Sequence, residues 1–214
     1  MPIRILLADD HAVVREGLRT ILEAQGNMKV VGEAGNGREA LDKAVLRRPD
    51  IILMDISMPE LSGIDATRMI LMQVPAAKIL VLSTYHTTEY VSRAMQAGAR
   101  AFIHKASVGF SVVNAVRAVM KGRLYFSDGI IAPKMKLSGS PVHPQTPLES
   151  LSRRERETLQ LIVEGNTNAM IADKFNVSQK SVETYRSRLM VKLDIDNVPA
   201  LVMFALQHGV ISLP

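Results

Sequence analysis

The sequence contains no cysteine among its 214 residues. This absence excludes a disulfide framework and any metal site that is built on thiolate ligands. The sequence also lacks a long apolar run, since none approaches the roughly 20 residues that a membrane-spanning helix needs. The amino-terminal segment MPIRILLADD turns acidic too early for a secretory signal peptide. We therefore expect a cytoplasmic protein that does not enter a membrane.

The chain is moderately basic, with a formal net charge of +5 at pH 7. Residues 1–121 contain 15 lysines and arginines against 12 acidic residues, and residues 122–214 contain 11 against 9. Because neither part concentrates the excess, overall basicity does not identify a nucleic-acid-binding protein. The local distribution of charge has to decide that question.

Short apolar runs alternate with helix-like patterns through residues 1–121. In the helix-like segments, apolar residues recur on one face, as Val14, Leu18 and Leu22 do in the first of them. Strands that alternate with helices and are apolar throughout predict a parallel α/β sheet covered on both faces. The five predicted strands are residues 3–8, 29–32, 51–54, 79–82 and 101–103.

This alternation ends after Gly122. Residues 132–147 contain four prolines, a composition that favours an exposed linker. From Leu148 onward the pattern is helical and offers no strand candidate. We therefore predict three parts, which are a first domain at 1–121, a linker at 122–147 and a second, all-α domain at 148–214.

Polar side chains follow four of the five predicted strands, at the point where each strand ends. In a parallel sheet the carboxyl ends of the strands share one edge, and ligands bind there. Residues that are far apart in the sequence are therefore expected to converge. They are Asp9 and Asp10 after the first strand, Asp55 after the third, Ser83 and Thr84 after the fourth, and Lys105 after the fifth.

The three predicted neighbouring carboxylates would repel one another unless a cation offset their charge. Mg²⁺ meets that need, because it is a hard divalent ion that prefers oxygen ligands. A carboxylate that attacks phosphorus yields an acyl phosphate. Lys105 would then pair with the phosphoryl oxygens, and Ser83 would donate a hydrogen bond to them. The alternative is that each aspartate only caps the helix after its strand.

Residues 2–121 resemble the receiver domain of bacterial response regulators, in the motifs LLADD, LMDISMPELSG, LST and GARAFIHK. The resemblance implies a flavodoxin-like (βα)5 fold in which Asp55 accepts a phosphoryl group from a sensor histidine kinase. It also implies Mg²⁺ held by Asp10, Asp55 and the main-chain carbonyl of Ser57, with Asp9 acting mainly through water.

The same resemblance assigns a switch to Ser83 and Phe102. In that scheme the Ser83 hydroxyl moves to the phosphoryl group, and the Phe102 ring turns into the space that it leaves. Thr84 would stabilise the phosphoryl group beside Ser83. His11 and His86 lie near these motifs in the sequence, and we interpret both as loop histidines outside any metal site.

Residues 148–214 resemble the LuxR-type helix-turn-helix of the NarL/FixJ family, in the segments LSRRERETLQLIVEG and NAMIADKFNVSQKSVETYRSRLMVKL. Residues 178–193 contain four cations and one anion. A helix predicted at 179–193 fits the major groove, where polar side chains read bases and cations bind phosphates. The alternative is an ordinary solvated face. The predicted DNA contacts are Lys180, Ser181, Glu183, Thr184, Ser187, Arg188 and Lys192.

A run of seven apolar residues, 200–206, marks the last predicted helix. A helix that is apolar all round is buried on more than one face. One face would pack on its own domain, and the other would form a homodimer after phosphorylation, as the resemblance implies. The alternative is an extra contact with the first domain or the linker. The dimer candidates are Leu201, Val202 and Ala205.

Together these features predict a transcription regulator whose binding to double-stranded DNA, at inverted half-sites, is controlled by phosphorylation of Asp55. It would not be an enzyme, apart from assisting its own phosphoryl transfer and dephosphorylation. A Mg²⁺-dependent phosphatase is a second hypothesis, but its acid should stand two residues after the nucleophile, where this chain has Ser57. A third is an adaptor that has lost DNA binding, which DNA binding by residues 148–214 would exclude.

Overall fold

The structure is a computed structural model that describes three segments of the chain, residues 1–84, 87–130 and 147–211. Phe110 and Glu149 are defined by their backbone alone, and His86 lies outside these segments. Within them, no helix is long and apolar enough to cross a bilayer.

The chain divides into two compact units, Met1–Lys134 and Met135–Pro214. The linker predicted at 122–147 therefore begins too early. Tyr125–Phe126 forms a short strand that pairs with the preceding strand of the first unit. A two-residue strand is too short to produce a periodic pattern in the sequence, which is why it was missed. Residues 131–146 lie outside the described segments.

The first unit is built on a six-stranded parallel sheet. Its strands are β1 (Ile3–Ala8), β2 (Met28–Ala34), β3 (Ile51–Asp55), β4 (Lys78–Ser83), β5 (Ala101–His104) and β6 (Tyr125–Phe126). Its helices are α1 (Ala12–Glu23), α2 (Gly37–Arg47), α3 (Gly63–Gln73), α4 (Thr88–Gln96) and α5 (Val108–Met120). The strands lie in the order β2-β1-β3-β4-β5-β6. The predicted α/β fold is confirmed, and β6 adds a sixth strand to it.

Both faces of the sheet are buried, which explains the continuous apolar runs of the strands. Leu6 and Ile52 pack in one core, whereas their neighbours Leu7 and Leu53 pack in the core on the opposite face. Each such side chain contributes about 1.5–3 kcal/mol when it is fully buried. The two cores hold the strands rigidly, so that the residues at the strand ends have fixed positions.

Among its described residues, the second unit contains helices joined by short loops and no strand. Its helices are α6 (Arg153–Val163), α7 (Asn168–Phe175), α8 (Gln179–Leu193) and α9 (Val198–Gln207). Each begins after a polar residue whose side chain accepts a hydrogen bond from the main-chain N–H three residues later, which stabilises the first turn. These capping residues are Ser152, Thr167, Ser178 and Asn197. The helix predicted at 179–193 is confirmed.

The structure corrects two of the three predicted dimer contacts on α9. Leu201 and Ala205 are fully buried in the core of their own domain. Val202 is half-buried, and Met203 beside it is 56% exposed. Because all seven residues of the run are apolar, the sequence could not show which face packs inward. Leu201 and Ala205 therefore stabilise the fold, and of the three candidates only Val202 reaches the surface.

Candidate functional site

The carboxyl ends of β1, β3 and β5 bring an acidic site together around Lys105. Its Nζ lies 2.8 Å from Oδ2 of Asp9 and 2.9 Å from Oδ2 of Asp55. Asp9 and Asp55 are almost fully buried, whereas Asp10 is at the surface. A buried carboxylate without a partner costs on the order of several kcal/mol. The ammonium group of Lys105 offsets this cost for both buried aspartates.

The environment of the site changes the pKa of its central groups. Burial raises the pKa of Asp55 from 3.8 to about 6, with Lys105 opposing the shift and Asp9 adding to it. For Lys105, burial lowers the pKa, but the charges of Asp55 and Asp9 outweigh burial and hold the pKa above its ordinary value. At neutral pH, Asp55 is therefore an ionised carboxylate that is more basic than an exposed one.

The same residues fit a cation. Asp9, Asp10, His11 and Asp55 each offer one ligand atom, and these atoms lie within 4.8 Å of one another. Carboxylate oxygens are the ligands that hard divalent ions prefer. We predicted the main-chain carbonyl of Ser57 as a further ligand. Ser57 stands two residues after Asp55 and is half-buried. The site could therefore hold a metal ion.

As predicted, His11 is an exposed loop residue, but its ring lies against the carboxylates of the site. Its Nδ1 lies 2.7 Å from Oδ1 of Asp10 and 3.2 Å from Oδ1 of Asp9. The imidazole is 65% exposed, so it covers the carboxylates from the solvent side. In the sequence, His11 directly follows the two aspartates. A single histidine, without a second metal-ligating residue at a typical spacing, does not identify a metal ligand.

Two further residues, which the sequence did not reveal, fix the backbone of the site. Arg15 donates from Nη1 to the main-chain carbonyl of Asp9 at 2.6 Å, and its Nε pairs with Glu33 at 3.1 Å. Gly63 begins α3, and a Cβ atom there would lie 1.8 Å from the main-chain oxygen of Asp55. Only glycine therefore allows α3 to approach the loop after Asp55 this closely.

Of the predicted switch residues, Ser83 is the last residue of β4 and Phe102 lies within β5. Ser83 is 2% exposed, and Phe102 is fully buried in the core. Thr84 is exposed, and its carbonyl oxygen lies 3.0 Å from Nε2 of His104. His104 is also the register partner of Ser83. The structure thus places Ser83 and Phe102 in the interior, and Thr84 at the solvent edge of the site.

The polar face of α8 is presented to solvent. Lys192 differs from the other predicted DNA contacts, because its Nζ lies 2.7 Å from Oε2 of Glu155 and 3.1 Å from the carbonyl oxygen of Ser150. Glu155 is buried and stands 37 residues earlier, so the sequence could not show this pair. Ser181 is half-buried. Lys192 is exposed despite this pair, and the other exposed members of the face are Lys180, Glu183, Thr184, Ser187 and Arg188.

Both units match known protein families. Residues 5–117 match the family described as the response regulator receiver domain. Residues 149–205 match the bacterial regulatory proteins of the luxR family.

Relatives cover nearly the whole chain. The uncharacterized transcriptional regulatory protein YxjL of Bacillus subtilis is 37% identical, and the match covers 98% of each chain. The response regulator UvrY of Escherichia coli is 38% identical over 97% of this chain and 95% of its own. A solved LuxR-family two-component response regulator from an Aurantimonas species is 36% identical, with a TM-score of 0.59 over 61% of this chain and 93% of its own. The chain therefore belongs to the response regulators of the NarL/FixJ type, in which a receiver domain precedes a LuxR-type DNA-binding domain that regulates transcription.

Proposed function

We propose that Asp55 accepts a phosphoryl group from the phosphohistidine of a sensor kinase, and that this modification controls dimerisation and DNA binding. The observation that carries the proposal is the position of Asp55, a buried carboxylate whose Oδ2 lies 2.9 Å from the Lys105 ammonium group. A nucleophile needs to be ionised, and a pKa of about 6 leaves Asp55 ionised at neutral pH. The raised pKa also makes it a better nucleophile than an ordinary carboxylate.

The phosphoryl transfer follows from this geometry. A carboxylate oxygen of Asp55 attacks phosphorus, the bond from phosphorus to the histidine nitrogen breaks, and an acyl phosphate forms. Lys105 remains beside the product and pairs with a phosphoryl oxygen. Asp9, Asp10 and Asp55 would hold Mg²⁺, which offsets the negative charge that collects during transfer. The chain would thereby assist its own phosphorylation and later hydrolysis.

A phosphatase acting on an external substrate is less well supported. Such an enzyme would need a general acid close to the nucleophile, and the residue two positions after Asp55 is Ser57. The cation nearest to Asp55 is Lys105, whose pKa is raised, so it holds its proton instead of donating it. The site therefore favours formation of the acyl phosphate on the chain itself.

We further propose that α8 reads DNA in the major groove. Its exposed face offers Lys180 and Arg188 for phosphates or guanine, and Glu183, Thr184 and Ser187 for other base edges. Ser181 lies in the first turn of α8, at the start of the same face. A homodimer would present two such helices to inverted half-sites. Val202 on α9 remains the candidate for the dimer contact.

Ser83→Ala tests how phosphorylation is transmitted. The variant is expected to accept phosphate from acetyl phosphate but to lose the shift from monomer to dimer. A ligand moves an equilibrium only through contacts that differ between the two states, and the Ser83 hydroxyl is the proposed differential contact. Sedimentation with and without beryllofluoride measures the shift.

The matched control is Thr20→Ala, which removes an exposed hydroxyl on α1 that donates to the carbonyl of Glu16 at 3.0 Å. It should dimerise like the wild type. Normal phosphate-dependent dimerisation in Ser83→Ala would show that this serine is not the coupling residue.

A further inference from the structure

The edge of the receiver sheet opposite the acidic site is rich in exposed cations. The strands of a parallel sheet all begin at the same edge, and the segments that lead into them here carry lysines and arginines. We call this surface the basic edge. It comprises Arg4, Lys29, Arg47, Arg48, Arg100 and Arg123, all of which are exposed.

Contacts along the strand starts bring these residues together. Arg4 and Lys29 are register partners on β1 and β2. The Arg4 guanidinium donates to the main-chain carbonyl of Arg47 at 2.6 Å. Tyr125 donates its N–H to the carbonyl of Arg100 at 3.1 Å, which brings the start of β6 to the same edge. The cations therefore extend across the sheet from β2 to β6.

The cations of the basic edge lack carboxylate partners. In the described part of the receiver, none of the six forms an ion pair. At the acidic edge, by contrast, Arg15 and Arg19 both pair with Glu33. Asp50, which borders the basic edge, accepts the main-chain N–H of Arg4 at 2.9 Å. Among the described residues, no carboxylate therefore pairs with the cationic side chains of this surface.

We propose that the basic edge binds the phosphate backbone of double-stranded DNA, as a second and sequence-independent contact of the chain. Cations that neutralise phosphates release condensed counterions, and this release drives binding. Lysines and arginines that are not already paired are the ones available for such contacts. The DNA-binding domain on the same chain raises the local concentration of DNA phosphates around the receiver, so a weak contact is sufficient.

The test is a salt titration of the full chain on a random-sequence duplex. The variant carries Lys29→Gln, Arg100→Gln and Arg123→Gln, and fluorescence anisotropy gives the binding constant at each salt concentration. The slope of log K against log salt should become shallower by about 0.9 for each lost phosphate contact, and by about 2.7 if all three residues contact phosphates. Thermal unfolding shows whether both proteins are folded.

A control variant removes three cations that already form ion pairs with carboxylates. It carries Arg19→Gln, Lys43→Gln and Arg68→Gln, which pair with Glu33, Glu39 and Asp65 in turn. The net charge falls by the same amount, yet the slope should stay at the wild-type value.

The basic edge and α8 are separable in this test. In a background with Lys180→Gln and Arg188→Gln, residual DNA binding should persist, and adding the three basic-edge substitutions should weaken it further and make its salt slope shallower. If α8 does not bind DNA, this background binds normally and the basic-edge slope still changes.

An unchanged slope in the basic-edge variant would overturn the proposal. If the variant with an unchanged DNA slope has also lost binding to fluorescein-labelled polyglutamate, the basic edge fits an acidic protein segment instead of DNA.

Discussion

Asp55→Asn is expected to abolish phosphorylation of the protein by acetyl phosphate. The amide cannot attack phosphorus as a carboxylate does, and the nearby Asp9 is held by Lys105 at 2.8 Å. Intact-protein mass spectrometry measures the phosphorylated fraction in the presence of Mg²⁺. Asp42→Asn is the matched control, since Asp42 is an exposed aspartate of α2, and it should be phosphorylated like the wild type. Undiminished phosphorylation of Asp55→Asn would place the nucleophile elsewhere.

The same substitution should stabilise the metal-free protein. The pKa of Asp55 is about 6 in the folded protein against an ordinary value of 3.8. The folded state therefore binds the proton more tightly than the unfolded state, and stability is lost as pH rises through the interval between these values. The loss amounts to about 3 kcal/mol above the interval. Urea unfolding with a chelator should show Asp55→Asn gaining stability over the wild type as pH rises from about 4 to about 7.

A double variant of α8, Lys180→Gln with Arg188→Gln, should bind DNA far more weakly than the wild type. Loss of two phosphate contacts reduces the salt slope by about 1.8. If Arg188 contacts a guanine instead of a phosphate, the slope falls by only about 0.9, and the loss on specific sequences is ~1–3 kcal/mol. Fluorescence anisotropy on random and operator-containing duplexes separates the two contributions.

Lys192→Gln is the matched control for this variant, because it removes a cation from the same helix. Its Nζ is held by the buried Glu155 at 2.7 Å. We therefore expect Lys192→Gln to lower the melting temperature, since the buried Glu155 loses its cation and keeps the Ser152 N–H, and to leave the salt slope unchanged. If instead Lys192→Gln reduces the slope and the double variant does not, the DNA-binding face has been assigned to the wrong side of α8.

The sequence predicted the strands that are buried on both faces of the sheet. Strands buried on both faces have to be apolar throughout, so β1, β3 and β4 were visible as runs. The site was predictable for a related reason, since Asp9, Asp55 and Lys105 each follow a strand and the strand ends share one edge. What the sequence showed was therefore where the strands lie along the chain and which residues stand at their ends.

Contacts between side chains and distant backbone could not be predicted. Arg15 reaches the carbonyl of Asp9, and Gly63 lets α3 approach Asp55, yet neither residue differs in the sequence from others of its type. The pair of Lys192 with Glu155 joins two helices of the second unit, and the sequence contains no trace of their packing. Such contacts depend on how elements pack, which local patterns do not determine.

The central claim is that the phosphoryl group on Asp55 controls DNA binding. The most direct measurement compares the affinity of the full chain for operator-containing DNA with and without beryllofluoride and Mg²⁺, in the wild type and in Asp55→Asn. We expect beryllofluoride to strengthen binding by the wild type and to leave Asp55→Asn unchanged. Equal affinity of the wild type in both conditions, or an equal response of the two proteins, would contradict the claim.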